Sequence, residues 1–440
     1  MKKILFLIGF LLIAAPCWSV TYDVGLGETY ETWLAFHAAI TPSPGDIIDG
    51  GNGTFVEGVL LNASGNSTAD ITYQNFHIDG NDTVEWGMRL YAYTYITVDD
   101  VEVKDCDVLI RAYTHSVDDV AIAKHVTLSN CTIHDSNASD GHPGVDLRGS
   151  YFTITGCDLD NFKHDAVYCI GDYFTFTSNT VDNPGIVGDG DCVQITASTN
   201  VVISNNELTN TGNNPHNGIA ATGAGGIILT ENNKITIGTT PDAPNGIYCL
   251  YSTPTIRYNE VIGGNAGIES NAGKIYNNIV RDAVYAGIWS TNTNATIEIY
   301  GNISVDSGRG IRANVANKTV TIKNNILAGN TYGLSIDTNG TKDSGYNCFY
   351  NNGTDISGVT ETGGSVFADP LFTDAANHVY TLKPGSPCIN VGVDLGSDYD
   401  DAINPDSTWP SGVLTIDQDI FKKWEIGAYV IPYGAGYKIW

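Results

Sequence analysis

Asn217-Gly218-Ile219, Asn245-Gly246-Ile247, Ala266-Gly267-Ile268, Ala286-Gly287-Ile288, Arg309-Gly310-Ile311 and Tyr332-Gly333-Leu334 are copies of one tripeptide. Upstream, Asp165-Ala166-Val167 and Asp191-Cys192-Val193 keep the same theme: a variable, mostly polar residue, a small one, then an aliphatic one. Successive copies lie about 20 to 28 residues apart, the length of one solenoid coil. In a solenoid, residues one period apart stack as neighbours about 4.8 Å apart. A column of the sequence therefore becomes a line on the surface of the molecule.

A second column fixes the period independently. Val201-Val202-Ile203-Ser204-Asn205-Asn206, Thr255-Ile256-Arg257-Tyr258-Asn259, Lys274-Ile275-Tyr276-Asn277-Asn278 and Val320-Thr321-Ile322-Lys323-Asn324-Asn325 alternate apolar and polar residues and end on Asn. Alternation over four to six positions predicts strands rather than helices. Aligned, the column runs Cys131, Cys157, Asn179, Asn206, Asn233, Asn259, Asn278, Asn302, Asn325, Asn347. Stacked Asn side chains at a turn can bond one another and the backbone along the axis. Strand, turn and strand repeated without helical stretches predict an all-β, single-stranded parallel β-helix. The two columns together resemble the right-handed parallel β-helix superfamily, the pectate-lyase-like group, over most of the chain. That resemblance implies a right-handed solenoid with an N-terminal helical cap. It also implies a polysaccharide partner lying in a groove along the outside of one sheet.

The ends read differently. Residues 1–19 have the layout of a signal peptide: basic Lys2 and Lys3, apolar Ile4 to Ala15, and small Ser19 at the cleavage point. The apolar run is too short for a membrane span, and no later segment is apolar enough, so membrane insertion is not expected. Pro16 ahead of Cys17 argues against a lipid-anchored cysteine. The expected location is secreted or periplasmic, with the cell surface as a variant. Residues 20–60 read as a cap and first coil, with a helix in Tyr30 to Ile40 carrying Trp33, Leu34, Phe36 and Ile40. Coils fill 61–352, interrupted by excursions at Thr114 to Lys124 and Asp135 to Pro143. In 353–440, Asp369-Pro370-Leu371-Phe372, Leu382 to Ile389 and Glu425 to Tyr429 resemble the closing segment of bacterial exported β-helix proteins. Capped ends block edge pairing, so a monomer is expected.

Eight cysteines follow the leader. Export permits disulfides, but Cys131 and Cys157 stand in the Asn column, and Cys169 and Cys249 each follow the theme's aliphatic residue by two. These are inward slots, where a free thiol acts as a small hydrophobe. Cys348 with Cys388 is the pair placed best for a bridge. The formal charge of −28 excludes a general nucleic-acid binder, which needs a basic face. Such acidity suits Ca²⁺ on carboxylates. A polyanionic substrate would need a site that is locally basic or metal-loaded.

Between Arg89 and His216 the repeat slots fill with ionisable residues. The slot before the theme holds His142, His164, Gly190 and His216. The theme's first slot holds Pro143, Asp165, Asp191 and Asn217. The outward slot after the aliphatic residue holds Arg89, Asp146, Tyr168, Gln194, Ala220 and Tyr248. Asp or Asn before a strand is also ordinary turn chemistry. Elimination from a uronic-acid polymer needs the substrate carboxylate neutralised and a base to remove the adjacent proton. Lys163, His164 or Tyr168 could be that base and Arg148 the neutralising group. Asp165, Asp189 and Asp191 could hold Ca²⁺. Arg89, His142, Asp146, Gln194, His216 and Tyr248 would line the substrate path. The expected function is a polysaccharide lyase. The alternatives are a C5-epimerase using the same parts, a glycoside hydrolase on paired Asp residues, and a non-catalytic glycan-binding or structural β-helix. Coils after Asn245 read as purely structural.

Overall fold

The computed structural model describes residues 19–431, other than 62, 91–92, 113–122, 138–140, 186–189, 213–214, 224–225, 240–243, 251–252, 292–294, 315–318 and 338–339. The leader, most of the Thr114 to Lys124 excursion, part of the next one, and Asp189 lie outside the described residues.

The chain winds into a parallel β-solenoid. Each regular coil gives three short strands, and each strand pairs in parallel with its counterpart one coil on. Val167–Ile170 pairs with Val193–Thr196, Phe174–Thr177 with Val201–Ser204, and Thr180–Asp182 with Glu207–Asn210. The theme's aliphatic residue points inward in every coil: Val145, Val167, Val193, Ile219, Ile247, Ile268, Ile288, Ile311 and Leu334 are fully buried. Its small residue is forced by crowding. A Cβ at Gly246 would lie 2.3 Å from Val261 and 2.5 Å from the carbonyl of Gly267.

The Asn column is a continuous hydrogen-bonded ladder. Asn206 donates its backbone N–H to Asn233 Oδ1 at 3.1 Å and its amide to the same oxygen at 2.9 Å. The amide also reaches the carbonyl of Phe176 at 3.0 Å. The same pattern links Asn179 through Asn347. The residue before each rung takes a left-handed backbone, as at Asn205, Asn232, Asn277 and Asn324, which Asn tolerates better than most residues. Local turn geometry and buried polar satisfaction thus select the same Asn-Asn pair.

At the N-terminal end, Thr32 caps the helix Trp33–Ala39 by accepting from Ala35 N–H at 3.1 Å. Trp33 is buried against Phe55, Tyr73 and Phe76, and Phe36 against Tyr22, Tyr30 and Trp33, which covers the first coil's interior. Leu34, expected in the same apolar set, is 75% exposed because it sits on the outer side of this short helix. The C-terminal segment lies along the solenoid's flank. Its Tyr380, Cys388, Tyr399, Trp424 and Ile426 form a second core with Tyr258, Tyr276, Tyr300, Ile303 and Ile326. Asn277 and Trp409 tie the two parts through backbone carbonyls. All eight cysteines of the described residues are buried and unbridged. The expected Cys348–Cys388 disulfide is therefore absent, although these two thiols face each other. No helix among the described residues is long and apolar enough to cross a membrane.

Candidate functional site

Backbone register places one outward column on the first sheet: Arg89, Arg111, Asp146, Tyr168, Gln194, Ala220, Tyr248, Glu269, Trp289 and Arg312. Most of this order is legible in the sequence. One coil is not. Arg111 stands between Arg89 and Asp146, because Val108-Leu109-Ile110 lacks the small residue that marks the theme elsewhere. Arg111 is 2% exposed, and both it and Arg89 lie over the ring of Trp86. A cleft of about 210 Å³ opens there, between Leu60, Trp86 and Arg89.

Asp146 is buried in the same column, and Arg148, two residues on and on the same side of its strand, closes over it. Arg148 Nε and Nη2 donate to the two carboxylate oxygens at 3.2 and 3.3 Å. The guanidinium lies 5.8 Å from the ring of Tyr168 on the next coil. Arg148 is itself 44% exposed.

The theme's first slot is chiefly a structural ladder. Asp165 Oδ1 accepts the backbone N–H of Asp191 at 2.7 Å. Asp191 Oδ1 accepts the N–H and amide of Asn217 at 2.8 and 2.9 Å. Asn217 and Asn245 continue the ladder to Ala266. These short acceptors satisfy backbone donors at each coil corner. Burial, and then the neighbouring charge of Asp191, push the Asp165 carboxyl up to about 7.

The preceding slot carries the histidines. His216 Nδ1 is hydrogen-bonded to Asp191 Oδ1. His142 and His164 occupy the same slot two coils and one coil ahead of Gly190, half-buried. Gly190 is required where a fourth side chain would stand, since its Cβ would meet the His164 carbonyl at 2.6 Å. Lys163 is anchored rather than projecting: its amine donates to the Asn137 carbonyl at 3.0 Å, and its N–H to Ser136 Oγ at 3.0 Å.

A calcium shell takes six to eight oxygens. Asp165 and Asp191 each spend one oxygen on the ladder, and Asp189 lies outside the described residues, so those present do not assemble such a shell. The acidic side chains that do converge among the described residues are Asp400, Asp417 and Asp419 in the C-terminal segment. A cleft of about 460 Å³ also lies off this sheet, around Asp306, Tyr350, Asp369 and Lys383.

Coils after Asn245 also carry ionisable and aromatic side chains. Glu269, Trp289 and Arg312 fill the outward slot, and Arg309 stands in the theme's first slot. Five of the chain's seven arginines, Arg89, Arg111, Arg148, Arg309 and Arg312, belong to this one sheet. The other two, Arg257 and Arg281, are paired with Glu231 and Asp282.

Comparison with known proteins addresses the fold. No characterised protein sequence matches the chain. Among solved structures, the alginate lyase AlyGC of polysaccharide lyase family 6 is 16% identical with a TM-score of 0.51, covering 90% of this chain and 60% of its own. A point mutant of AlyGC gives 15% identity and a TM-score of 0.56, covering 84% and 56%. The chain thus spans less than two thirds of that enzyme's length. A mannuronic acid specific family 6 polysaccharide lyase from the human gut microbiota is 12% identical, TM-score 0.46, covering 70% and 82%. The model of the right handed beta helix region matches residues 57–235 and 144–304, the coils that carry both ladders. With the parallel register and the inward aliphatic column, this makes the chain a member of the right-handed β-helix family.

Proposed function

We infer that this is an exported polysaccharide lyase cleaving a uronic-acid-containing polymer by β-elimination in the groove over Arg89, Arg111, Arg148 and Tyr168. The observation that carries the reading is the concentration of arginine on one sheet of a chain whose formal charge is −28. A protein this acidic repels a polyanion everywhere except where such a cluster reverses the local field. The similarity in fold to an alginate lyase accords with the reading without establishing it.

In this reading the Arg148 guanidinium holds the uronate carboxylate, the buried charge of Arg111 adds to the local field, and together they draw charge away from the adjacent carbon, which makes its proton removable. His164 and Tyr168, on one coil beside Arg148, are the groups placed to exchange protons. One takes the proton from the carbon next to the carboxylate, a carbon–carbon double bond forms, and the bond to the leaving glycosidic oxygen breaks. The other returns a proton to that oxygen. Lys163 orders the turn that presents them. Asp165 and Asp191 serve the ladder, which weakens the hydrolase alternative built on those two carboxylates.

The test is incubation with mannuronan, polyguluronate and polygalacturonate while following the ultraviolet absorbance of the new conjugated double bond. A rise that Arg148→Ala reduces at least about a hundredfold, in line with loss of a charge-stabilising donor, supports the reading. New reducing ends without that absorbance would replace it with hydrolysis. Sugar inversion without chain cleavage would replace it with epimerisation.

A further inference from the structure

Tyr285, Trp289, Arg309 and Arg312 form a second cluster on the same sheet, in the repeat slots that hold the first. Tyr285 and Trp289 meet edge to face, with ring centroids 4.9 Å apart. The Arg309 guanidinium lies 4.7 Å from the Tyr285 ring and 5.4 Å from Tyr332 on the next coil. That of Arg312 lies 5.0 Å from Tyr285 and 5.9 Å from Trp289. Two like charges are thus brought onto one aromatic platform. Their one carboxylate partner among the described residues is Asp337, 3.4 Å from Arg312 Nη2 and 57% exposed, and a pair this exposed holds weakly. Beneath the cluster, Trp289 Nε1 and Arg312 Nε are shielded donors with no acceptor among the described residues. Buried donors are normally satisfied, so these two N–H groups suit a ligand that brings an acceptor. Glu269, on the coil before Trp289, is turned away onto the amide of Asn245 at 2.9 Å.

The geometry points to a second binding site here for an anionic sugar residue, its carboxylate taken by Arg309 and Arg312 and its ring lying against Tyr285 and Trp289. Planar guanidiniums suit bidentate carboxylate recognition, and aromatic faces suit the apolar side of a sugar ring. The site rests on the proposed uronate specificity and deepens it. Six coil steps separate Tyr168 from Arg312 along the column, about 29 Å at the spacing of paired strands. A polymer lying along the sheet would therefore be gripped at both ends, with Gln194, Ala220, Tyr248 and Glu269 between. Two grips on one chain raise affinity through effective concentration.

Calorimetric titration at low salt tests this with two probes, uronate trimers and uronate oligomers long enough to bridge both clusters. Wild-type protein should bind the bridging oligomers at least about tenfold more tightly than trimers. The double variant Arg309→Ala with Arg312→Ala should lose that advantage while trimer turnover is unchanged. Asp337→Asn, which removes the competing carboxylate, should tighten the bridging oligomers by about two- to fivefold; this gain cannot arise from misfolding. If the double variant binds bridging oligomers as tightly as wild type while cleavage persists, this site is refuted and the lyase reading stands. If wild type binds bridging oligomers tightly but cleaves nothing, the lyase reading fails and this site stands.

Discussion

Both oxygens of the Asp146 carboxylate, 1% exposed, are held by one guanidinium, that of Arg148, at 3.2 and 3.3 Å. The pair fixes Arg148 against Tyr168. Removing Arg148 strands a buried charge, which in a fully shielded pair costs about 3–5 kcal/mol. Because Arg148 is 44% exposed and screened by solvent, Arg148→Ala should cost about 1–3 kcal/mol. Adding Asp146→Asn should recover most of that loss. Urea denaturation of the two single variants and the double variant measures the coupling, and equal losses in all three would refute it.

Asn259 is the rung whose loss should be felt most directly. Its Oδ1 accepts two donors from Asn233, and its amide reaches Thr230, Arg257 and Asn278, all at 2.9–3.0 Å. Asn259→Ala leaves these buried groups unpaired, at about 1–3 kcal/mol for each one that water cannot reach. A total loss of about 3–5 kcal/mol is expected in chemical denaturation. A change below about 1 kcal/mol would show that the ladder carries little of the stability.

Glu425 sets a pH dependence. It is 2% exposed, and burial pushes its carboxyl up to about 8. Unfolded, it titrates near the ordinary value of about 4.3. Between these values the folded chain holds one more proton than the unfolded chain. Its contribution to stability is therefore complete below the unfolded value and is lost as pH rises toward 8, by about 1.4 kcal/mol per pH unit at most. Glu425→Gln should flatten that slope and be more stable than wild type at about pH 8. Denaturation midpoints across the range decide it, and parallel curves for the two proteins would contradict the assignment.

The cysteines should be silent in the native state. Burial pushes the Cys106 and Cys249 thiols up to about 12, which suppresses the reactive thiolate. In protein lacking residues 1–19, a thiol reagent should label none of the eight in the folded state and all eight after denaturation. Six after denaturation without reductant would mean that Cys348 and Cys388, which face each other, become oxidised.

Most of the fold is legible in the sequence because the coil demands the same three things each time: an aliphatic residue inward, a small one beside it, and an Asn at a left-handed corner. Asn205-Asn206 and Asn324-Asn325 state that demand twice over. The site is legible where it interrupts the pattern, as at His164, Tyr168 and His216. Arg111 escapes because its strand, Thr94–Ala112, runs through the corner without the theme. Trp289 is legible as part of the outward aromatic line with Tyr168 and Tyr248, but Arg309 and Arg312 escape for the opposite reason: the theme around them is so regular that it reads as scaffold, although the outward slot is independent of it. Asp165 and Asp191 show the remaining ambiguity, since a carboxylate that accepts a backbone N–H and one that awaits a ligand have the same spelling.

From Asn179 to Asn325 each rung of the ladder donates its N–H to the next Asn Oδ1, so the coils there are interchangeable parts. A coil removed or duplicated between Gln194 and Tyr248 would leave no unmatched rung, yet would move the two arginine clusters by one strand spacing, about 4.8 Å. The reach of the sheet is therefore quantised. Lineages can retune the length of chain it accommodates in whole steps, without touching either cluster.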